Sequence, residues 1–472
     1  MHDPAARAAT LDLAQTDVRA LLAGAQALAL KEIEATRDGP VFGEPPAAAR
    51  VRALIGADDP LPVDGEPVEA LLDACARVLG AGRRTNPGFF GYVQSPPAPV
   101  GAAADLLASA ADQNVTAWRS APAATEVEKV AVRWLGELVG FAPAAAGLLL
   151  AGGSAANLTA LLLALRLRTD PAADRRALVA YTSSEGHFSV AKAAGVLGVE
   201  LRAVPADAAR RLDPERLGAS IAEDRAAGRT PFCVVAAAGT TATGAIDPLD
   251  RLADLAAEQR LWLHVDGAYG APAAAVAVLR ERFAGLERAD SLALDAHKWL
   301  YVPVDCGALL VRDPEATGRA FGAAAGEYVR VMDAEPAEAF AFWDHGIELS
   351  RRFRALKLWM TLRCYGARRL AAAIEEDIAM AAYLAERVRA ADDMELLSGP
   401  ELSICCFRHV PPGVRDLDAH NERLLGALQR DGRVYLSNAH LDGRFALRAC
   451  ITNFRTTCQD IERTLDVVRE LA

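Results

Sequence analysis

Lys298 directly follows the apolar run Ser291–Leu294 and lies between His297 and Trp299. An amine at a partly buried strand end suits Schiff-base chemistry, because burial disfavours the ammonium form and lowers the pKa. It is one of only five lysines, with Lys31, Lys129, Lys192 and Lys357, among 51 basic residues. Coding bias towards arginine accounts for the low count. Arginine can replace lysine at a solvated surface but cannot form an imine.

Asp266 follows a second apolar run, Leu261–Val265. A carboxylate there is costly unless it is paired, and a ligand cation is one possible partner. His264 shares its strand face and reads as a core histidine with satisfied hydrogen bonds. After Gly147–Ala151 comes Gly152-Gly153-Ser154-Ala155-Ala156-Asn157, opening a helical run. Small residues and free N–H groups at a helix start form a phosphate site; the alternative is that Ser154 only caps the helix. The run is neither a dinucleotide nor a P-loop fingerprint. His187 follows the run Ala177–Tyr181, and the hydroxyl-rich turn Gly239–Gly244, with Thr241, follows Phe232–Ala237. Asp247 and Pro248 after that turn read as a helix start. A lysine, a strand-end acid and a phosphate cradle are the partners that pyridoxal 5′-phosphate requires.

These residues need a scaffold that brings several strand ends together. From about 145 to 312 short apolar runs alternate with helical stretches, Ala155–Arg168, Phe188–Leu197 and Pro248–Gln259. The last apolar run is Ala308–Val311. Alternation of this kind predicts βαβ units and a mostly parallel, buried sheet, whose ligands bind at the carboxyl ends of the strands. Residues 1–84 read as helices broken by prolines, an arm that packs on something else. From about 350 long helices over Arg352–Arg389 precede strand-like Leu402–Phe407, Arg433–Leu436 and Arg444–Ile451, then a helix Gln459–Leu471. The expected division is an arm at 1–84, a large domain at 85–355 and a small α+β domain at 356–472.

Composition narrows the function. Of 472 residues, 52% are hydrophobic and 24% charged, as in a globular enzyme. A net charge of −11 argues against nucleic acid as the partner. Eight cysteines without a CxxC pair point to a reduced, cytoplasmic protein with no metal site. The N-terminus lacks a signal-peptide pattern, and the apolar run from Leu158 is too short for a bilayer.

The chain from about residue 80 onward resembles the pyridoxal-phosphate-dependent group II amino-acid decarboxylases, above all the aromatic-L-amino-acid decarboxylases and their bacterial relatives. The matching stretches are Asn86-Pro-Gly-Phe-Phe-Gly, Trp118 with Pro122 and Glu126, Gly153-Ser-Ala-Ala-Asn, His187-Phe-Ser-Val, Gly239-Thr-Thr, His264-Val-Asp-Gly-Ala-Tyr, His297-Lys-Trp and Arg351-Arg-Phe-Arg-Ala-Leu-Lys. Their order and spacing are specific. The resemblance implies a fold-type I enzyme, an α/β protein with a mostly parallel seven-stranded sheet, working as a homodimer with the arm wrapped around its partner. It implies that Lys298 forms the internal aldimine, Asp266 holds the pyridinium nitrogen, His187 stacks on the ring and Ala268 lines its other face. Ser154, Ala155 and Ala156 would meet the phosphate, with Asp295 nearby; Thr241 would approach the cofactor and His297 would stand beside the Schiff base.

The same resemblance implies loss of CO2 from an L-amino acid through a quinonoid, giving a primary amine. Protonation at Cα falls to a loop tyrosine, for which Tyr328 is the candidate; packing alone is the alternative. Phe89, Phe90, Tyr92 and Trp118 suggest an aromatic-friendly substrate pocket. Aliphatic, acidic and diamino acids, and an oxygen-dependent aldehyde synthase, are the alternatives; a non-catalytic PLP-binding protein is the third class. The chain departs from the family pattern at Asp295-Ala296 (commonly Asn-Pro), Gly267 (usually Ala) and Asn86 (commonly His).

Overall fold

The computed structural model describes residues 13–42, 47–322, 335 and 338–472. The chain opens with α1 (Gln15–Asp38), α2 (Ala48–Leu54) and α3 (Val68–Gly80), none of which contains a fully buried residue. Their apolar stripes are left exposed at Leu22, Leu30, Leu71 and Leu79. Helices α4 (Pro99–Ala111) and α5 (Pro122–Val139) follow, each started by a proline in its first turn, where the missing N–H costs nothing.

The central sheet then forms: β1 (Ala146–Leu150), α6 (Gly153–Arg168), β2 (Leu178–Ser183), α7 (Phe188–Leu197), β3 (Glu200–Val204), α8 (Pro214–Ala226), β4 (Thr230–Ala237), α9 (Leu249–Gln259), β5 (Trp262–Asp266), β6 (Ser291–Asp295), the short helix α10 (Ala296–Trp299), β7 (Gly307–Val311) and α11 (Ala316–Phe321). Strand order is β1-β7-β6-β5-β4-β2-β3. Strands β6, β5, β4, β2 and β3 are parallel, and β7 runs antiparallel to both β1 and β6. Burial follows the two-residue period of a strand. Val179, Tyr181, Leu292 and Leu294 enter one core, while Leu178, Ala180, Ala293 and Leu309 enter the core on the opposite face. Burial on both faces explains why the runs read as continuously apolar. The carboxyl ends of β2, β4, β5 and β6 share one edge, and β7 lets the backbones close up there. A Cβ on Gly307 would lie 2.5 Å from the Gly152 Cα and 2.7 Å from an Asp295 oxygen.

The remainder is α12 (Ala355–Arg389, broken at Gly366 with φ 68°), β8 (Met394–Ser398), β9 (Ile404–His409), α13 (Leu417–Asp431), β10 (Ser437–Leu441), β11 (Arg444–Cys450) and α14 (Cys458–Leu471). The four strands form an antiparallel sheet ordered β10-β11-β9-β8. Its core includes Phe90. The Phe90 N–H donates to the Tyr435 carbonyl at 2.8 Å, and its own carbonyl accepts from Cys450 N–H at 2.9 Å. The segment around Phe90, which the sequence reading places in the large domain, therefore packs against the small sheet.

The expected helix Phe188–Leu197 has those bounds in the structure, and the expected strands of the central sheet are present with ends shifted by a few residues at most. The expected strand Arg433–Leu436 is not one: Tyr435 pairs with Phe89 in an isolated bridge, and the strand begins at Ser437. Strands β3 and β8 were not foreseen. Both are partly exposed and lack a continuous apolar run.

Candidate active site

A cavity of about 440 Å³ opens at the shared strand edge. It is lined by Ser154 and Ala155 from the start of α6, His187 before α7, Thr241 after β4, Asp266 and Ala268 after β5, and Asp295, His297 and Lys298 at the end of β6. Those are nine of the residues the sequence singled out, brought together from five loops.

Lys298 sits in α10, one turn after Asp295. Its Nζ donates to Asp295 Oδ2 at 2.9 Å, and its side chain is 22% exposed. Helix α10 is anchored from behind. Trp299 is fully buried, stacks on Tyr269 with ring centroids 5.0 Å apart, and donates its indole N–H to Asp377 Oδ2 at 2.8 Å. Tyr301 O–H donates to the same oxygen at 2.8 Å. Burial pushes the Asp377 carboxyl up to about 8. The Ser95 hydroxyl holds the Lys298 carbonyl. Desolvation pulls the Lys298 amine down, but the Asp295 charge and hydrogen bond, with the Asp266 charge, outweigh it and the net shift is upward. This reverses the sequence expectation, because Asp295 three residues back, and Asp266 from the neighbouring strand, oppose the effect of burial.

Asp266 accepts from Asn157 Nδ2 at 2.8 Å and from the Ala268 N–H at 3.2 Å. His187 is half-buried at the N-terminus of α7; its Nδ1 accepts from the Ser189 N–H at 3.3 Å and lies 2.7 Å from the Ser189 hydroxyl. Desolvation lowers its pKa, as it does for His297. His297 Nδ1 accepts from the Cys306 N–H at 3.1 Å, which turns its other nitrogen towards Asp295, 3.8 Å away.

The first turn of α6 has no side-chain cap, and Gly152, not Ser154, is its N-cap. The N–H groups of that turn are thus available to an anion. A Cβ on Gly153 would come within 3.0 Å of both the Ala268 Cβ and Asp295 Oδ2, so the backbone is bare where the cavity narrows. One expected contact is corrected. Ala156 is fully buried in the core behind the helix, its N–H donates to the Gly152 carbonyl at 3.0 Å, and it does not line the cavity.

The expected substrate aromatics do not line this cavity. Phe89 is buried and stacks on Tyr435 with centroids 5.2 Å apart, while Tyr92 is half-exposed. The Arg83 guanidinium lies 4.8–5.2 Å from the ring centroids of Phe89, Tyr92 and Tyr435. The Trp118 backbone N–H donates to the Phe340 carbonyl at 2.9 Å. None of the three lines the cavity. Asn86 likewise caps its own turn, bonding Gly39 and Gly88. Gly267 is explained by space, since a Cβ there would lie 2.6 Å from the Ala271 Cβ. Tyr328 falls outside the described residues.

The sequence reading missed Arg448 on β11. Its side chain is buried, donating to the Thr241 carbonyl at 2.9 Å, the Tyr92 carbonyl at 2.8 Å and Ser437 Oγ at 3.1 Å. Among the described residues its Nη2 is buried without a hydrogen-bond partner, and no carboxylate pairs with it. The visible signal was an arginine inside the apolar run Phe445–Ile451. Asp295 Oδ1, facing the same narrow end as the glycines, is also buried and without a hydrogen-bond partner among the described residues. The bare helix start, the amine and Asp266 fit a ligand that joins an anionic group, an aldehyde and a ring nitrogen.

Residues 51–410 match the pyridoxal-dependent decarboxylase conserved domain. The chain is 36% identical to the aromatic-L-amino-acid decarboxylase of Bacillus atrophaeus, over 82% of this chain and 81% of that one. It is also 36% identical to the L-2,4-diaminobutyrate decarboxylase of Rhizobium meliloti, over 89% and 86%. The crystal structure of Oryza sativa TDC with PLP and tryptamine superposes with a TM-score of 0.90 at 28% identity, covering 100% of this chain and 99% of that one.

Proposed function

Because this chain belongs to the pyridoxal-dependent decarboxylase family, we propose that it removes the α-carboxylate of an L-amino acid, an aromatic one by preference, and releases CO2 and the primary amine. Its cofactor is pyridoxal 5′-phosphate, and it is a carboxy-lyase. When bound, the cofactor's conjugated ring takes up the electron pair left by the departing carboxylate.

The protein's own residues do the rest. Lys298 supplies the amine that links to the cofactor, and Asp295 keeps that amine protonated until it is needed. The N–H groups at the start of α6, with Ser154 and Ala155, receive the phosphate. Asp266 holds a proton on the ring nitrogen, and His187 and Ala268 bound the ring's two faces. Thr241 would approach the cofactor from the turn after β4, and His297 would stand next to the linking amine. Arg448, a buried cation without a described carboxylate partner, supplies positive charge for an anionic substrate group. Tyr328 delivers the proton to Cα. The aromatic preference rests on likeness to the Bacillus enzyme; likeness to the Rhizobium enzyme makes a diamino acid the second reading. The exposed apolar faces of α1 and α3 suit a second copy of this chain.

The observation that carries the reading is the convergence of Lys298, Asp266 and the bare start of α6 on one cavity. The purified protein with pyridoxal 5′-phosphate is expected to release CO2 and amine from aromatic members of an amino-acid panel. Borohydride followed by peptide mapping is expected to find the cofactor on Lys298. A cofactor attached to another lysine, or attached with no CO2 released from any amino acid, would sink it.

A further inference from the structure

We propose that Trp262, Ser291, His264 and Asn157 are positioning residues, linked in a one-directional hydrogen-bond chain that aims Asp266 and fixes the tautomer of His187. Its importance for catalysis rests on the reading above; the chain itself stands on contacts within the protein.

The chain starts at Trp262, at the beginning of β5. Its indole N–H donates to Ser291 Oγ at 2.8 Å. An indole nitrogen can only donate, so the Ser291 proton is free to go to His264 Nδ1, 2.8 Å away. His264 then carries its own proton on Nε2 and donates it to Asn157 Oδ1 at 2.9 Å. With its oxygen so placed, Asn157 turns its amide Nδ2 towards Asp266 Oδ2 at 2.8 Å and Ser189 Oγ at 2.9 Å. Ser189 Oγ accepts there, which directs its proton to His187 Nδ1 at 2.7 Å. The Ser189 backbone N–H also donates to that nitrogen. His187 is thereby an acceptor at Nδ1 and bears its proton on Nε2.

Both ends enforce the direction. Trp262 cannot accept. At the other end an ionised carboxylate cannot donate, so an inverted Asn157 would set two oxygens against each other at 2.8 Å. Trp262, His264 and Asp266 alternate along one strand and share a face, Ser291 begins the neighbouring strand, and Asn157 reaches across from α6. His264, Ser291, Asn157 and Ser189 are all at most 2% exposed, so water does not compete for these bonds. Burial also lowers the His264 pKa to about 4, which keeps it neutral and able to accept at Nδ1.

The test is long-range 15N–1H correlation on the holoenzyme labelled at its eight histidines, near neutral pH and without substrate. His187 and His264 are expected as single neutral Nε2–H tautomers. His264→Gln retains a donor in the place of Nε2 and is expected to leave the His187 signals unchanged. His264→Leu keeps the bulk without the donor, and is expected to lose the single-tautomer pattern of His187 and lower kcat more than KM. A wild-type His187 protonated on Nδ1, or His187 signals identical in the Leu and wild-type proteins, overturns the proposal. The wild-type tautomer decides the matter even where the Leu variant does not fold. A fixed Nε2–H tautomer in a protein that decarboxylates nothing would refute the functional reading and leave the chain intact.

Discussion

Asp295 Oδ2 lies 2.9 Å from Lys298 Nζ, across one turn of chain, and this ion pair sets the charge of the linking amine. Lys298 is raised despite its desolvation because Asp295, and behind it Asp266, favour the ammonium form. Only a neutral amine attacks an aldehyde. In Asp295→Asn the main opposing charge is gone and desolvation is left to act. Cofactor capture by the apoprotein is therefore expected to begin at a lower pH than in wild type. Absorbance growth on mixing with pyridoxal 5′-phosphate across a pH series measures this, and an unmoved onset would show that Asp295 does not control the amine.

The buried His264 gives an acid-sensitivity prediction with a definite sign. Its folded pKa is about 4, below the ordinary value of 6.5. Between those values the unfolded chain binds a proton that the folded chain does not, so stability falls as pH drops from 6.5 towards 4. His264→Gln, which does not titrate, is expected to flatten this part of the profile. Urea midpoints measured from pH 7 to pH 4 provide the check. A variant profile parallel to wild type would mean that His264 is not the group responsible.

Glu128 and Arg351 form a buried pair at 2.5 Å, each side chain 1% exposed. Glu128 also accepts the Leu149 N–H at 2.8 Å, and Arg351 donates to the Leu149 carbonyl at 2.9 Å, so the pair occupies both backbone groups of Leu149 on the outer edge of β1. Removing one partner leaves a buried charge uncompensated, typically a loss of about 3–5 kcal/mol. Glu128→Leu is expected to lose that much by chemical denaturation. The double variant with Arg351→Leu is expected to lose far less than the two single losses added together. Simple additivity would contradict the pairing.

Tyr328→Phe is expected to lower amine yield and raise aldehyde formation with oxygen uptake, because the proton donor to Cα is missing. Product analysis with an oxygen electrode distinguishes the outcomes. An unchanged amine rate would remove Tyr328 from the mechanism.

Much of the scaffold was written in local sequence. A continuous apolar run specifies a strand buried on both faces, so residues just after such runs, Asp266 and Lys298, were legible as a site before any contact was known. The helix Phe188–Leu197 was legible for the same reason, since propensity and periodicity are carried by near neighbours. Other features depend on residues far apart in the chain. Asp266 adds to the upward shift of Lys298, after the nearer Asp295, only because β5 and β6 lie side by side. Phe89 and Tyr92 read as aromatics in sequence, and only the tertiary structure shows them packed with Tyr435 and Arg83. Sequence determined which groups were available and at which strand ends. Only the tertiary structure decided their charge, their orientation and which of them meet, because those depend on desolvation and on partners that no local pattern encodes.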